Sequence, residues 1–264
     1  MTAPIALSIV IPAYNEAGRI GATLGRVGDY VRQHGLAAEA LVVDDGSRDD
    51  TPRVVEGFQL RFPFLKLLRH ETNHGKGWAV RTGMLAAQGE RILFSDADLS
   101  TPIEEVKRLT HWLDHGYDIA IGSRGLPDSQ VAVHQAWYRE SMGKVFGTLK
   151  RFALLPDIYD SQCGFKLFAR EAARRIFALQ RLNGFAFDVE VLVIARKLGY
   201  KVKEVPVRWL NSPESKVNPL TDSARMLGEL AVIWLNQRRG LYDFPTNSGR
   251  QRIGMTNDET PNDE

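Results

Sequence analysis

The chain is predicted to fold as an α/β domain, with a mostly parallel central sheet flanked by helices. Three observations predict it. Short apolar runs alternate with helix-period segments through the first 125 residues, the pattern of linked βαβ units. Several of these runs stop abruptly in acidic or polar clusters. A length of 264 residues suits one large α/β domain, expected over residues 1–240.

The elements follow in order. Leu7-Ser-Ile-Val-Ile11 reads as a buried strand, and Ile20, Leu24, Val27 and Val31 then keep helical spacing. Ala40-Leu-Val-Val43 is a second strand. Thr51-Pro52 starts the next helix with a capping residue and a proline where no N–H is needed. Leu65 to Leu68 is a third strand, Gly77 to Ala87 a helix, and Ile92 to Ser95 a fourth strand. Thr101-Pro102-Ile103-Glu104 spells a capping box, so a helix is expected there. Asp118 to Ser123 adds a strand.

The pattern changes from Gln130 to Leu155. Trp137, Val145, Phe146, Leu149, Phe152, Leu154 and Leu155 interleave with Arg139, Lys144, Lys150 and Arg151. Such a basic amphipathic segment suits a membrane interface, and it equally suits a helix packed on the core. A strand from Gly164 to Phe168 returns to the sheet. A helix from Asp188 to Leu198 ends at Gly199, a C-cap residue. Val202 to Trp209 is a final strand and Asp222 to Asn236 a final helix. The segment 246–264 is polar and reads as a disordered tail.

Composition narrows the function. A net charge of +2 is too mild to argue for nucleic acid as a partner. The single cysteine, Cys163, excludes an internal disulfide framework and fits a reducing compartment. The pairs His70/His74 and His111/His115 have no third ligand nearby in sequence, which argues against zinc. No signal segment opens the chain, and no run approaches the roughly 20 apolar residues that cross a bilayer. The expectation is a cytoplasmic protein that can rest peripherally on the inner membrane face.

The chemistry gathers at strand ends. Arg91-Ile-Leu-Phe-Ser-Asp96-Ala97-Asp98 is a strand that ends in two carboxylates separated by one small residue. Ligands of open α/β sheets collect beyond the carboxyl ends of strands, and two acids there can hold a hard divalent cation and, through it, a diphosphate. Asp-x-Asp triplets are also common in turns, so context decides. Pro12-Ala-Tyr14-Asn15-Glu16 and Asp44-Asp45-Gly46-Ser47 end two other strands on the same edge. Asn73-His-Gly75-Lys76-Gly77 precedes a helix, where glycines allow close backbone approach and Lys76 favours an anion. The run is not a Walker loop, and no Gly-x-Gly-x-x-Gly follows the first strand. A nucleotide-diphosphate site that uses a metal remains.

These three strand-end motifs, with Gly122-Ser-Arg124, resemble the inverting GT-A glycosyltransferases of family 2 over nearly the whole folded chain. Within that group the likeness is to dolichyl-phosphate (polyprenyl-phosphate) β-glucosyltransferases. It is carried by Asn73-His-Gly-Lys-Gly77, Gln162-Cys-Gly-Phe-Lys-Leu-Phe168, Phe187-Asp188-Val-Glu190 and Ser215-Lys216.

The resemblance implies a GT-A, Rossmann-like domain with a nucleotide-sugar half at 1–125 and an acceptor half at 126–240. It implies that Pro12, Tyr14 and Glu16 grip the nucleoside, and that Asp45 reads the base edge, with Asp44 the alternative. Asp96 and Asp98 match the metal motif for Mg²⁺ or Mn²⁺, with Asp98 the direct ligand; Asp96 and Ala97 also border the donor. Arg124 matches a residue near the sugar or phosphates, or else makes a structural salt bridge. Lys216 matches a lysine that closes over the diphosphate. Asp188 matches the acid on the acceptor side, and it also suits a helix N-cap. The implied partners are a UDP-sugar, a polyprenyl phosphate and a membrane surface.

Three features depart from the family pattern. Ser100 stands where related mannosyl enzymes often have glutamine. The N-terminal membrane anchor of the eukaryotic glucosyl enzymes is not expected here. The loop before Lys216 reads Asn211-Ser-Pro-Glu-Ser215. The alternatives are a soluble transferase acting on a hydroxyl, a GDP-mannose-using lipid-phosphate mannosyltransferase, and a non-catalytic UDP-sugar-binding module.

Overall fold

Seven strands form one sheet in the order β3-β2-β1-β4-β7-β5-β8 in the computed structural model, which describes residues 4–131, 154–210 and 221–243. They are β1 (Leu7–Ala13), β2 (Ala38–Asp44), β3 (Leu65–Arg69), β4 (Arg91–Ser95), β5 (Ile119–Ser123), β7 (Phe165–Ala169) and β8 (Val202–Pro206). All neighbours are parallel except β7, which runs antiparallel between β4 and β5. The short strands β6 (Gln130–Val131) and β9 (Arg208–Trp209) pair separately. The expected strand from Val202 to Trp209 is therefore two, divided at Val207, and they belong to different sheets.

The inner strands β2, β1, β4, β7 and β5 are buried on both faces because helices cover each side. On one face Ile9, Ile11, Val42, Leu93, Phe165 and Leu167 pack with α1 (Ile20–Gln33), α2 (Thr51–Arg61) and α4 (Val106–Asp114). On the other, Val10, Leu41, Val43, Phe94, Ile121 and Phe168 pack with α3 (Lys76–Ala86), α5 (Arg170–Leu179), α6 (Phe187–Lys197) and α7 (Thr221–Arg238). Successive strand residues alternate between these cores, as the two-residue period of a strand requires.

After β1 the chain builds outward through β2 and β3, then returns to place β4 on the other side of β1. That reversal opens a crevice between the ends of β1 and β4, where ligands of open α/β sheets bind.

Two helix starts differ from expectation. The Thr51 side chain does not cap α2; its hydroxyl accepts from the Glu16 N–H at 2.7 Å, tying α2 to the loop after β1. Thr101 forms no capping box either. A 3₁₀ turn over Ile103–Glu105 precedes α4, and the Thr101 hydroxyl lies 3.7 Å from the Cys163 sulfur. Helix α5, whose Ala172, Ala173, Ile176 and Phe177 are buried, was not anticipated from the sequence.

Leu154 and Leu155, at the end of the amphipathic segment, are buried in the core. The rest of that segment (132–153), Lys216 and the tail 246–264 lie outside the described residues. Among the described residues no helix is long and apolar enough to cross a membrane.

Candidate active site

The acidic pair emerges where β4 ends. The Asp96 N–H donates to the Gly164 carbonyl at 3.0 Å, which fixes the exit of β4 against the entry to β7. The Asp96 carboxylate occupies the space a side chain at 164 would take: a Cβ there would lie 1.9 Å from Oδ2. The following turn is tight. Leu99 adopts a left-handed conformation (φ 48°) and its N–H donates to the Asp96 carbonyl at 3.2 Å. A buried leucine in that region is strained, and such strain concentrates at functional sites. Ala97 is buried, and its carbonyl accepts from Thr23 of α1 at 2.6 Å. Asp98 Oδ1 accepts from the Ser100 N–H at 3.0 Å, leaving Oδ2 4.0 Å from Arg19.

The loop after β1 faces this turn. Pro12 is buried within β1, paired with Val43 of β2, whereas Tyr14 is 37% exposed. Asn15 is left-handed (φ 53°), and its N–H donates to Ser47 Oγ at 2.8 Å while its Oδ1 accepts from the Arg48 N–H at 2.8 Å. Glu16 pairs with Arg19, which reaches on toward Asp98. This arginine, with its link between the two motifs, was not singled out in the sequence.

Asp44 and Asp45 part company at the end of β2. Asp44 is fully buried, accepts from the Ser47 N–H at 3.2 Å and lies 3.4 Å from Arg69. Asp45 turns to the loop after β3. It accepts from His70 Nδ1 at 2.7 Å, from the Gly75 N–H at 2.7 Å, and from the His74 N–H at 3.1 and 3.2 Å. Gly75 has φ 106°, and a Cβ there would meet the Asn183 carbonyl at 2.5 Å, so glycine is required.

That loop delivers Lys76 to the acids. At the first position of α3, its Nζ faces Asp96 Oδ1 at 2.7 Å and lies 5.5 Å over the Phe94 ring. Burial works against the Lys76 charge, but Asp96, Asp188 and Asp98 outweigh it and raise the ammonium above its ordinary value. Apart from this ion contact, Asp96 Oδ1 is buried without a hydrogen-bond partner.

A second charged group comes from the ends of β5 and α6 and from β7. Asp188 does not cap α6: Ala186 holds that position, no side chain caps it, and Asp188 sits buried in the first turn. It pairs with Lys166 Nζ, from the interior of β7. Burial raises the Asp188 carboxyl, with Lys166 and Lys76 opposing. The start of α6 is held from outside, by Glu229 of α7 accepting from the Ala186 N–H at 3.1 Å. Glu190, one turn-side further on, accepts from the Arg181 and Leu182 N–H groups and from Tyr242 at 2.8 Å.

Arg124 forms the salt bridge that the sequence reading allowed. Its guanidinium grips Asp160 at 2.7 and 2.9 Å, and its N–H donates to the same carboxylate at 2.9 Å. Although burial raises a carboxyl, Arg124 more than offsets it and holds Asp160 at about 2. Neither Asp160 nor Lys166 had an assigned role. The available signal for Lys166 was a lysine inside an otherwise apolar strand, Phe165-Lys166-Leu167-Phe168.

Among the described residues no three His, Cys, Asp or Glu side chains gather as a ready-made metal centre. The donor set present is two hard carboxylates, one paired with Lys76 at Oδ1 and the other keeping Oδ2 4.0 Å from Arg19, beside a cationic helix start. That set fits a divalent ion that shares its coordination shell with a diphosphate.

This sheet, with its acids at the switch point, has the GT-A fold. The chain belongs to glycosyl transferase family 2, which residues 8–177 match, and it is a hexosyltransferase. It is 34% identical over 251 residues to dolichyl-phosphate beta-glucosyltransferase of Drosophila melanogaster, covering 89% of this chain and 76% of that protein. The Homo sapiens protein of the same description is 32% identical over 249 residues, covering 89% and 77%. Among solved structures, glucosyl-3-phosphoglycerate synthase from Mycobacterium tuberculosis, in complex with Mn²⁺, UDP-glucose and phosphoglyceric acid, superposes with TM-score 0.66 at 18% identity, covering 87% and 79%. Mannosyl-3-phosphoglycerate synthase from Rubrobacter xylanophilus superposes with TM-score 0.65 at 19% identity, covering 93% and 78%.

Proposed function

We propose that the enzyme transfers glucose from UDP-glucose to a polyprenyl phosphate at a membrane surface, with inversion at the anomeric carbon. The observation that carries this reading is the meeting of Lys76, Asp96 and Asp98 at the β1/β4 crevice, in a chain whose relatives bear the dolichyl-phosphate glucosyltransferase description. Pro12, Tyr14 and Glu16 line the nucleoside side. Asp45 reads the base: pairing with a uracil N–H would displace the bifurcated His74 amide, its longest contact. Asp96 and Asp98 would hold Mg²⁺ or Mn²⁺, which when bound supplies positive charge against the diphosphate leaving group. Lys76 supplies positive charge beside the donor diphosphate, and the resemblance adds Lys216 to it.

Asp188 stands on the acceptor side. A phosphate monoester has its second pKa near 6, so it arrives largely ionised at neutral pH and needs no strong base. A hydroxyl acceptor would require Asp188 to take its proton.

The test is a screen of labelled UDP-glucose and GDP-mannose against polyprenyl phosphate and free sugars, with and without Mg²⁺ or Mn²⁺. Metal-dependent formation of a glucosylated lipid phosphate is expected. Transfer confined to free sugars, or to mannose, overturns the assignment.

A further inference from the structure

One cation at the site is not used by this reaction. Lys166 is 1% exposed, opposite Phe94 of β4 and Ile121 of β5. Its ammonium contacts Asp188, donates to the Cys163 carbonyl at 2.7 Å and lies 5.6 Å over the Phe94 ring. Lys76 lies over the same ring at 5.5 Å and faces Asp96. Two ammonium groups and two carboxylates thus gather at one aromatic ring, Lys76 with Asp96 and Lys166 with Asp188.

A buried lysine is costly unless paired, and removing one partner leaves the other uncompensated. The antiparallel course of β7 brings this lysine to the acid that faces the acceptor. A bare carboxylate there would repel an anionic acceptor and would be a stronger base toward a hydroxyl. A carboxylate clamped by an ammonium does neither.

We propose that Lys166 is a positioning and specificity-determining residue, which neutralises Asp188 and so fits the acceptor side to a phosphate that arrives already ionised. The proposal rests on the reading of Asp188 as the acceptor-side acid. Lys166 does not touch the reacting atoms; it acts through Asp188. Lys166 pulls the Asp188 carboxyl down against burial, which favours the ionised, paired form.

The experiment compares wild type, Lys166→Met, Asp188→Asn and the double variant, with polyprenyl phosphate as acceptor and UDP-glucose hydrolysis by water measured alongside. Measured at a pH alkaline enough to keep the buried Asp188 ionised without its partner, Lys166→Met is expected to raise the acceptor KM about tenfold or more, because like charges then face each other. The donor KM should stay within about twofold, and hydrolysis should gain relative to transfer. The double variant should recover most of the lost acceptor affinity, because both charges are gone. That variant also decides the matter if Lys166→Met alone folds poorly. An unchanged acceptor KM in Lys166→Met, or a double variant no better than the single one, overturns the proposal while wild-type transfer to the lipid phosphate upholds the functional reading. A wild-type enzyme that transfers only to hydroxyls overturns both.

Discussion

The two edges of the site treat their acids in opposite ways. On the donor side, Asp96 and Asp98 keep side-chain exposures of 32% and 22%, and their oxygens are met by a lysine at a loop–helix junction and by a backbone N–H. On the edge proposed for the acceptor, Asp188 and Asp160 are screened from solvent (side-chain exposures 5% and 11%), and each is matched by one cation, Lys166 and Arg124. Half-exposed acids retain lone pairs for a ligand, whereas acids closed in by a lysine or a bidentate arginine fix shape and charge. The proposed donor edge leaves its acids open to a ligand, and the proposed acceptor edge holds its charges in place.

The largest effect should come from the exposed pair. Asp98→Ala is expected to lower transfer on the order of 10²–10³-fold, with little change in thermal midpoint, and a chelator should reproduce the loss. Full turnover in that variant would mean that the donor edge does not bind through its acids. Next comes Gly164→Ala, whose new Cβ would lie 1.9 Å from Asp96 Oδ2. Pushing that carboxylate aside by about an ångström should cost roughly 10²-fold in rate, read in kcat/KM on a folded protein.

Asp188→Asn sharpens the contrast between edges. It should slow transfer to a lipid phosphate by less than about tenfold, yet remove roughly 10²–10⁴-fold from any transfer to a hydroxyl. Equal losses with both acceptors would contradict the view that the acceptor edge needs no free base.

Asp160→Asn probes stability instead of rate. Arg124 holds Asp160 at about 2, against an ordinary 3.8, so the pair's stabilisation is full above the unfolded value and is lost as pH falls through about 2. The wild type should exceed the variant by about 2 kcal/mol near neutrality, a gap that narrows below pH 4 in urea melts. A gap that stays constant as the solution is acidified would assign the cost to packing.

The donor edge was legible in the sequence because each of its motifs follows its own strand directly. Asp45, Lys76, Asp96 and Asp98 could be placed on one edge from the alternation of strand and helix alone. The acceptor edge could not. Lys166 and Asp188 are 22 residues apart and meet only because β7 inserts antiparallel between β4 and β5, a topology that local pattern does not encode. Arg124 was seen, but its partner Asp160 lies in an irregular stretch without periodicity. The two misread helix starts share a cause: Thr51 and Thr101 spend their hydroxyls on tertiary contacts instead of their own helices.

The grip of Glu229 on the first turn of α6 sets an order of assembly. Glu229 and Tyr242 brace the stretch that carries Asp188 and Glu190, yet they are translated after it. A nascent chain can complete its nucleotide crevice while the far wall still lacks its brace. Glu229→Gln is therefore expected to bind UDP but transfer poorly, and equal transfer by that variant would show that the brace is dispensable. Helix α7 works as a latch across the start of α6.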